Sequence, residues 1–201
     1  MADFDSMAFR SNVLKTLTDP TVSVINFSVH GHEVVTMCYY FMAKYIHEDK
    51  LKCVIGNVSN GTAAEYDAAD NTIYGKESAI IYYDQMATII HECTHAYFDL
   101  VKGFKKDFSI NILWNEVVAF LAGQIFTVAN RPFDMVSGNS DPNIVAYNIV
   151  KKKGLPPKPW NSGTKMIDFS EDDVKPLVDC LRGHALYKNR VDKASPIDGI
   201  N

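Results

Sequence analysis

The sequence predicts an α+β fold, a small mixed sheet with helices packed against it. Two observations carry this. Short runs rich in Val, Ile, Thr and aromatic residues alternate with longer runs of 3.6-residue apolar periodicity. Gly, Pro, Asn and Asp punctuate the joins between them. With 201 residues, 47% of them hydrophobic, the chain can bury one substantial core. The expectation is one domain over 1–201, with its core about 32–130 and a C-terminal helical segment about 141–190.

The elements follow in order. Residues 5–17 read as a helix stopped by Asp19-Pro20, and 21–29 read as a strand that Gly31 breaks. Val35, Cys38, Tyr39, Met42, Tyr45 and Ile46 predict a helix over 32–48. A strand follows at 51–58, then a turn at 59–61, two short strands at 63–67 and 71–74, and an apolar strand at 78–83. Asp84 is expected to cap a helix over 85–101 that Gly103 ends. Residues 110–130 form a long apolar helix stopped by Arg131-Pro132. A helix over 142–153, a Pro-rich stretch 155–160 containing Trp160, and a final helix capped by Ser170 with Asp173 complete the chain. The tail after Arg190 is expected to be loose.

Charge and cysteine usage exclude several classes. The formal net charge is -4 and the sole basic run is Lys151-Lys152-Lys153, so no nucleic-acid partner is expected. No stretch approaches 18 consecutive apolar residues, which argues against a membrane partner. Cys38, Cys53, Cys93 and Cys180 form no CxxC pair, so four reduced thiols are expected. The acidic start Met1-Ala2-Asp3-Phe4-Asp5 lacks the apolar core of a secretory signal. A cytoplasmic location is the expectation, with delivery by a non-classical route left open.

The chemistry lies in His91-Glu92-Cys93-Thr94-His95. On a helix, residues four apart share a face, so His91 and His95 can bring ring nitrogens to one ion. Glu92 points about 100° away from His91, poorly placed as a ligand but able to reach a water at the metal as general base. Glu116 is 21 residues past His95, on an otherwise apolar helix where an acidic side chain needs a partner. It is the candidate third ligand. Two His and one Glu with an open position suit one zinc ion per chain, which lowers the pKa of water towards about 7 and polarises a scissile carbonyl.

These residues resemble the zincin metallopeptidases of the gluzincin type, the class that includes thermolysin, over about 63–130. Ala64-Glu65-Tyr66-Asp67…Asn71-Thr72-Ile73-Tyr74 is similar to the hairpin that precedes the active-site helix in small zincins. Asn115-Glu116-Val117-Val118-Ala119 is similar to the glutamate helix that follows it. The resemblance implies a zincin-like fold with His91, His95 and Glu116 as zinc ligands and Glu92 as catalytic base. It also implies an edge strand, at Ala79, Ile80, Ile81 and Tyr82, along which an extended peptide pairs. One departure is Phe120, which stands where thermolysin-like enzymes place an Asp that supports a His ligand. Asp99, one turn beyond His95, is either a substitute or a solvated helix end.

Other residues have weaker claims. His184 and Tyr187, expected on the last helix, are candidate donors to the oxyanion of the transition state. His30-Gly31-His32-Glu33 lacks the second His of a metal motif and reads as structural. Cys53 invites comparison with the peptide deformylases, but such a site leaves Glu116 unexplained. The sequence therefore predicts a zinc-dependent metallopeptidase acting on a peptide or protein substrate. The alternatives are a delivered effector or toxin using the same chemistry, and a catalytically silent zincin-like binding module.

Overall fold

A computed structural model of the chain describes residues 4–58, 62–80, 82–131, 141–155, 166–190 and 193–196. Among the described residues the chain is mixed α+β, with six α-helices and two three-stranded sheets. It divides into two compact units, 1–20 with 37–108 and 196–201, and 21–36 with 109–195. The expected turn at 59–61, Ile81, and Trp160 with most of its Pro-rich stretch lie outside the described residues.

The first unit contains α1 (Phe4–Leu17), α2 (Thr36–His47), β3 (Lys52–Ile55), β4 (Ala64–Asp67), β5 (Thr72–Gly75) and α3 (Tyr83–Phe104). Its sheet runs β3-β5-β4, with β3 parallel and β4 antiparallel to β5. The two short strands expected around Asp70 are therefore an antiparallel hairpin. Asn71 in its turn has a positive φ of 54°, a conformation Asn tolerates well. Helix α1 buries Phe9, Val13 and Leu17, spaced at four residues, against β3 and α3. Gly75 makes room for that packing, since a Cβ there would stand 2.4 Å from the Phe9 ring.

The second unit contains β1 (Phe27–Val29), β2 (His32–Val34), α4 (Ile112–Asn130), α5 (Pro142–Lys153), β6 (Ile167–Phe169) and α6 (Glu171–Gly183). Its sheet runs β2-β1-β6, antiparallel then parallel. Among the described residues α4 is the one helix long and apolar enough to cross a membrane, yet most of it is buried. It is the central helix of this unit, packed on α5 and α6. Cys38, Cys53, Cys93 and Cys180 are all free thiols.

Several elements differ from the sequence expectation. Pro20–Val24 is a 3-10 turn, and the strand begins only at Phe27. Pro20 presets φ for a turn. The Thr36 hydroxyl then donates to the carbonyls of Ser23 and Ile25, and Ile25 N–H donates to Val22, so these groups serve no ladder. His32–Val34 is a strand where a helix was expected. His30 and Gly31 have φ of 49° and 77°, the pair of positive values that a tight two-residue hairpin demands. Helix α2 accordingly starts at Thr36.

The stretch 78–83 is not a strand in its described residues. The carbonyl of Ser78 accepts from Asn12 Nδ2, and Tyr82 is already the N-cap of α3, its N–H donating to Gln85 Oε1 at 3.0 Å. Asp84 therefore lies inside the first turn rather than at the cap, and the helix continues past Gly103 to Phe104. Strand β6 was not anticipated, because three residues carry too little periodicity to register. Nor is the described part of the tail loose. Lys193 O and Ser195 N–H bond the backbone of Ile112 and Ile110.

Candidate metal centre

Helix α3 holds the first two candidate ligands. Its buried side includes Ile89, Ile90, Cys93, Ala96 and Leu100. Thr94, inside the motif, donates its hydroxyl proton to Ile90 O at 2.8 Å. Its oxygen then accepts from the hydroxyl of Tyr39 on α2 at 2.9 Å, in a fully buried contact. Burial holds the Tyr39 phenol well above its ordinary pKa, the Thr94 bond offsetting part of that rise. Cys93 and Thr94 thus face the core, which leaves the adjoining face to the motif's charged residues.

On that face the Nε2 atoms of His91 and His95 stand 3.0 Å apart, their rings at 79° to one another. Two ligands about 2.0–2.1 Å from one tetrahedral ion stand about 3.3–3.4 Å apart. At 3.0 Å the pair stands slightly closer than that, near enough for both nitrogens to engage one ion after a small adjustment. The ligand atoms of His91, His95 and Glu116 all lie within 4.8 Å of one another, close enough to bind a metal ion. Among the described residues, no other group of His, Cys, Asp or Glu does so. Two imidazole nitrogens and a carboxylate oxygen are a donor set that borderline divalent ions accept.

The start of α4 is fixed by four contacts. Asn111 caps it, accepting from Trp114 N at 2.9 Å. Asn115 donates through Nδ2 to Ser195 Oγ at 2.7 Å, and Ile112 N–H bonds Lys193 O. Trp114 stacks on His30, with ring centroids 3.9 Å apart and planes 9° apart, while His30 Nδ1 meets Glu171 at 2.7 Å. Glu116 follows one residue after this anchored turn. The His30-Gly31-His32-Glu33 segment, read from the sequence as a structural strand–helix junction, is a hairpin that packs beside α4. Burial, then the neighbouring His30, lowers the pKa of His32.

Glu92 is 8% exposed. Its Oε2 accepts from the backbone N–H of Tyr66 on β4 at 2.9 Å, and its Oε1 lies 4.0 Å from His91 Nε2. The carboxylate stands beside the histidine pair. Asp99 is wholly buried, so the solvated reading fails, and it accepts from the Tyr66 hydroxyl at 2.6 Å. Sequence reasoning gave Tyr66 no role. It lay within the hairpin that carries the resemblance, but nothing in one sequence says that a strand's N–H points at a helix.

The remaining expectations fare differently. His184 is the C-cap of α6 and Tyr187 follows in the next turn, so both lie beyond the last helix. Their rings face each other at 5.5 Å. Ala79 and Ile80 have no strand structure, and Tyr82 is exposed at the start of α3. The edge strand next to the motif helix is instead β4. Cys53 is buried in β3, where desolvation pushes its thiol up to about 12, against the thiolate a metal ligand requires. Phe120 is a buried apolar side chain of α4. Compared with family models, with characterised proteins and with solved structures, the chain matches none.

Proposed function

We propose that this chain is a zinc-dependent peptidase with a minimal zincin-like fold, in which His91, His95 and Glu116 hold one zinc ion and Glu92 is the general base. The observation that carries the reading is the position of Glu92. Its carboxylate is anchored by a backbone N–H on one oxygen and faces the histidine pair with the other. A metal bound only for structure has no use for such a group. Two imidazoles and one carboxylate favour zinc by ligand type.

Bound zinc would supply Lewis acidity, polarising the scissile carbonyl and making water a better nucleophile. The protein's own groups carry the protons. Glu92 removes one from the attacking water as the new C–O bond forms. It then delivers that proton to the amide nitrogen as the C–N bond breaks, so the leaving amine departs neutral and the base is regenerated.

The test is elemental analysis with a hydrolysis assay. About one zinc per chain is expected in the wild type and little in His95→Ala. Cleavage of an unfolded protein substrate should disappear in Glu92→Gln while zinc is retained. A wild type that takes up no zinc, or a Glu92→Gln protein as active as the wild type, would overturn the reading.

A further inference from the structure

We propose that Tyr66 is the positioning residue for Glu92, holding β4 in register on α3 through Asp99. The inference rests on the reading of Glu92 as the base. Glu92 and Asp99 are seven residues apart on α3, so they lie two turns apart on one face, with His95 between them. Tyr66 engages both. Its backbone N–H donates to Glu92 Oε2 at 2.9 Å, and its hydroxyl donates to Asp99 Oδ2 at 2.6 Å. The same hydroxyl stands 3.2 Å from Asn71 Oδ1, in the turn of the β4–β5 hairpin.

The topology explains why this residue can do so. Strand β4 is an edge, paired with β5 on one side and packed near α3 on the other. Alternation along an antiparallel edge strand turns every second N–H away from its partner. Tyr66, opposite Ile73, is such a position, and its N–H turns toward the helix. A single bond between strand and helix would leave β4 free to pivot. Two bonds, separated by two helical turns and sharing one residue, fix both its tilt and its register.

Both acceptors are carboxyl groups with little or no exposure, so both bonds are shielded from water. The orientation of Glu92 beside His91 is thus set through the residue whose phenol reaches Asp99.

The test is the backbone amide resonance of residue 66 in the full chain, recorded by proton–nitrogen NMR with hydrogen exchange. An N–H bonded to a carboxylate resonates at low field and exchanges slowly. Glu92→Gln should move this resonance upfield, which assigns it. Tyr66→Phe and Asp99→Asn, each close in volume to the wild type, should shift it the same way and raise its exchange rate about tenfold or more. The amides of Ile73 and Tyr74 in β5 should hold their protection. A tyrosine that merely stabilised the fold would leave the residue-66 amide at its wild-type position in both variants, and that result overturns the proposal. So does an amide indifferent to Glu92→Gln. Failure to bind zinc or cleave peptide counts against the peptidase reading alone, because the amide signature needs neither.

Discussion

The Nε2 atoms of His91 and His95 meet at 3.0 Å, one helical turn apart on α3. A divalent cation held between them would engage both ring nitrogens. Zinc should therefore raise the melting temperature, and chelator should lower it to a metal-free baseline. At a free zinc concentration about a hundred times Kd, the stabilisation should be about 2.7 kcal/mol. In His95→Ala, melting curves with zinc and with chelator should nearly superimpose.

The Tyr39–Thr94 bond predicts a cost with a direction. Thr94 has one hydroxyl proton and gives it to Ile90 O, so Tyr39 must be the donor to Thr94. Thr94→Val keeps the shape and strands a fully buried phenol. It should destabilise by about 1–3 kcal/mol in urea unfolding. Adding Tyr39→Phe should recover part of this, since the stranded donor goes with it. Strict additivity of the two substitutions would argue against the bond.

Gly75 predicts a steric cost. A Cβ at this position would stand 2.4 Å from Cε2 and 2.5 Å from Cζ of Phe9, which is 1% exposed and cannot swing into solvent. Gly75→Ala should cost about 1–3 kcal/mol, as overpacking does. Phe9→Leu in the same background should be less harmful than in the wild type. The readout is a double-mutant cycle of unfolding free energies.

Acid stability should report the cap of α6. Hydrogen bonds from Lys153, then from the backbone and side chain of Ser170, hold the Asp173 carboxyl at about 2. Its unfolded value is about 3.9, so the folded pKa is depressed. The stabilisation is then fully present above pH 4 or so and is lost as pH falls from there through about 2. Ser170→Ala should cost about 1 kcal/mol at neutral pH. The gap between variant and wild type in urea midpoint should narrow from pH 6 to pH 2.5. A constant gap would show that the cap does not depend on the charge of Asp173.

The shared face of His91 and His95 was legible in sequence because a helix converts spacing into geometry without help. His91 and His95, four apart, share a face, and Cys93 and Thr94 face the core, by the pitch of the helix alone. The helices α1, α4, α5 and α6 were equally legible, since each carries either long periodicity or a capping residue with its own local hydrogen bonds. The short elements were not. Residues 21–24 have strand-like side chains, but Pro20 starts a 3-10 turn there and the hydroxyl of Thr36 bonds the carbonyls of Ser23 and Ile25. Residues 32–34 look helical, but two positive φ angles at His30 and Gly31 fold them back as a hairpin.

What tertiary structure decided is which groups face one another across elements. Residues 78–83 are apolar enough for an edge strand, yet β4 took that place because it pairs with β5 and adjoins α3. Asp99 could have ended a solvated turn, and the phenol of Tyr66 made it a buried acceptor instead. Glu116 was a candidate by composition, and its closeness to His91 and His95 depends on how the chain between two helices runs. Local spacing fixes what a single helix presents. Hydrogen bonds between residues 20 to 140 positions apart are set by packing, and no periodicity encodes them.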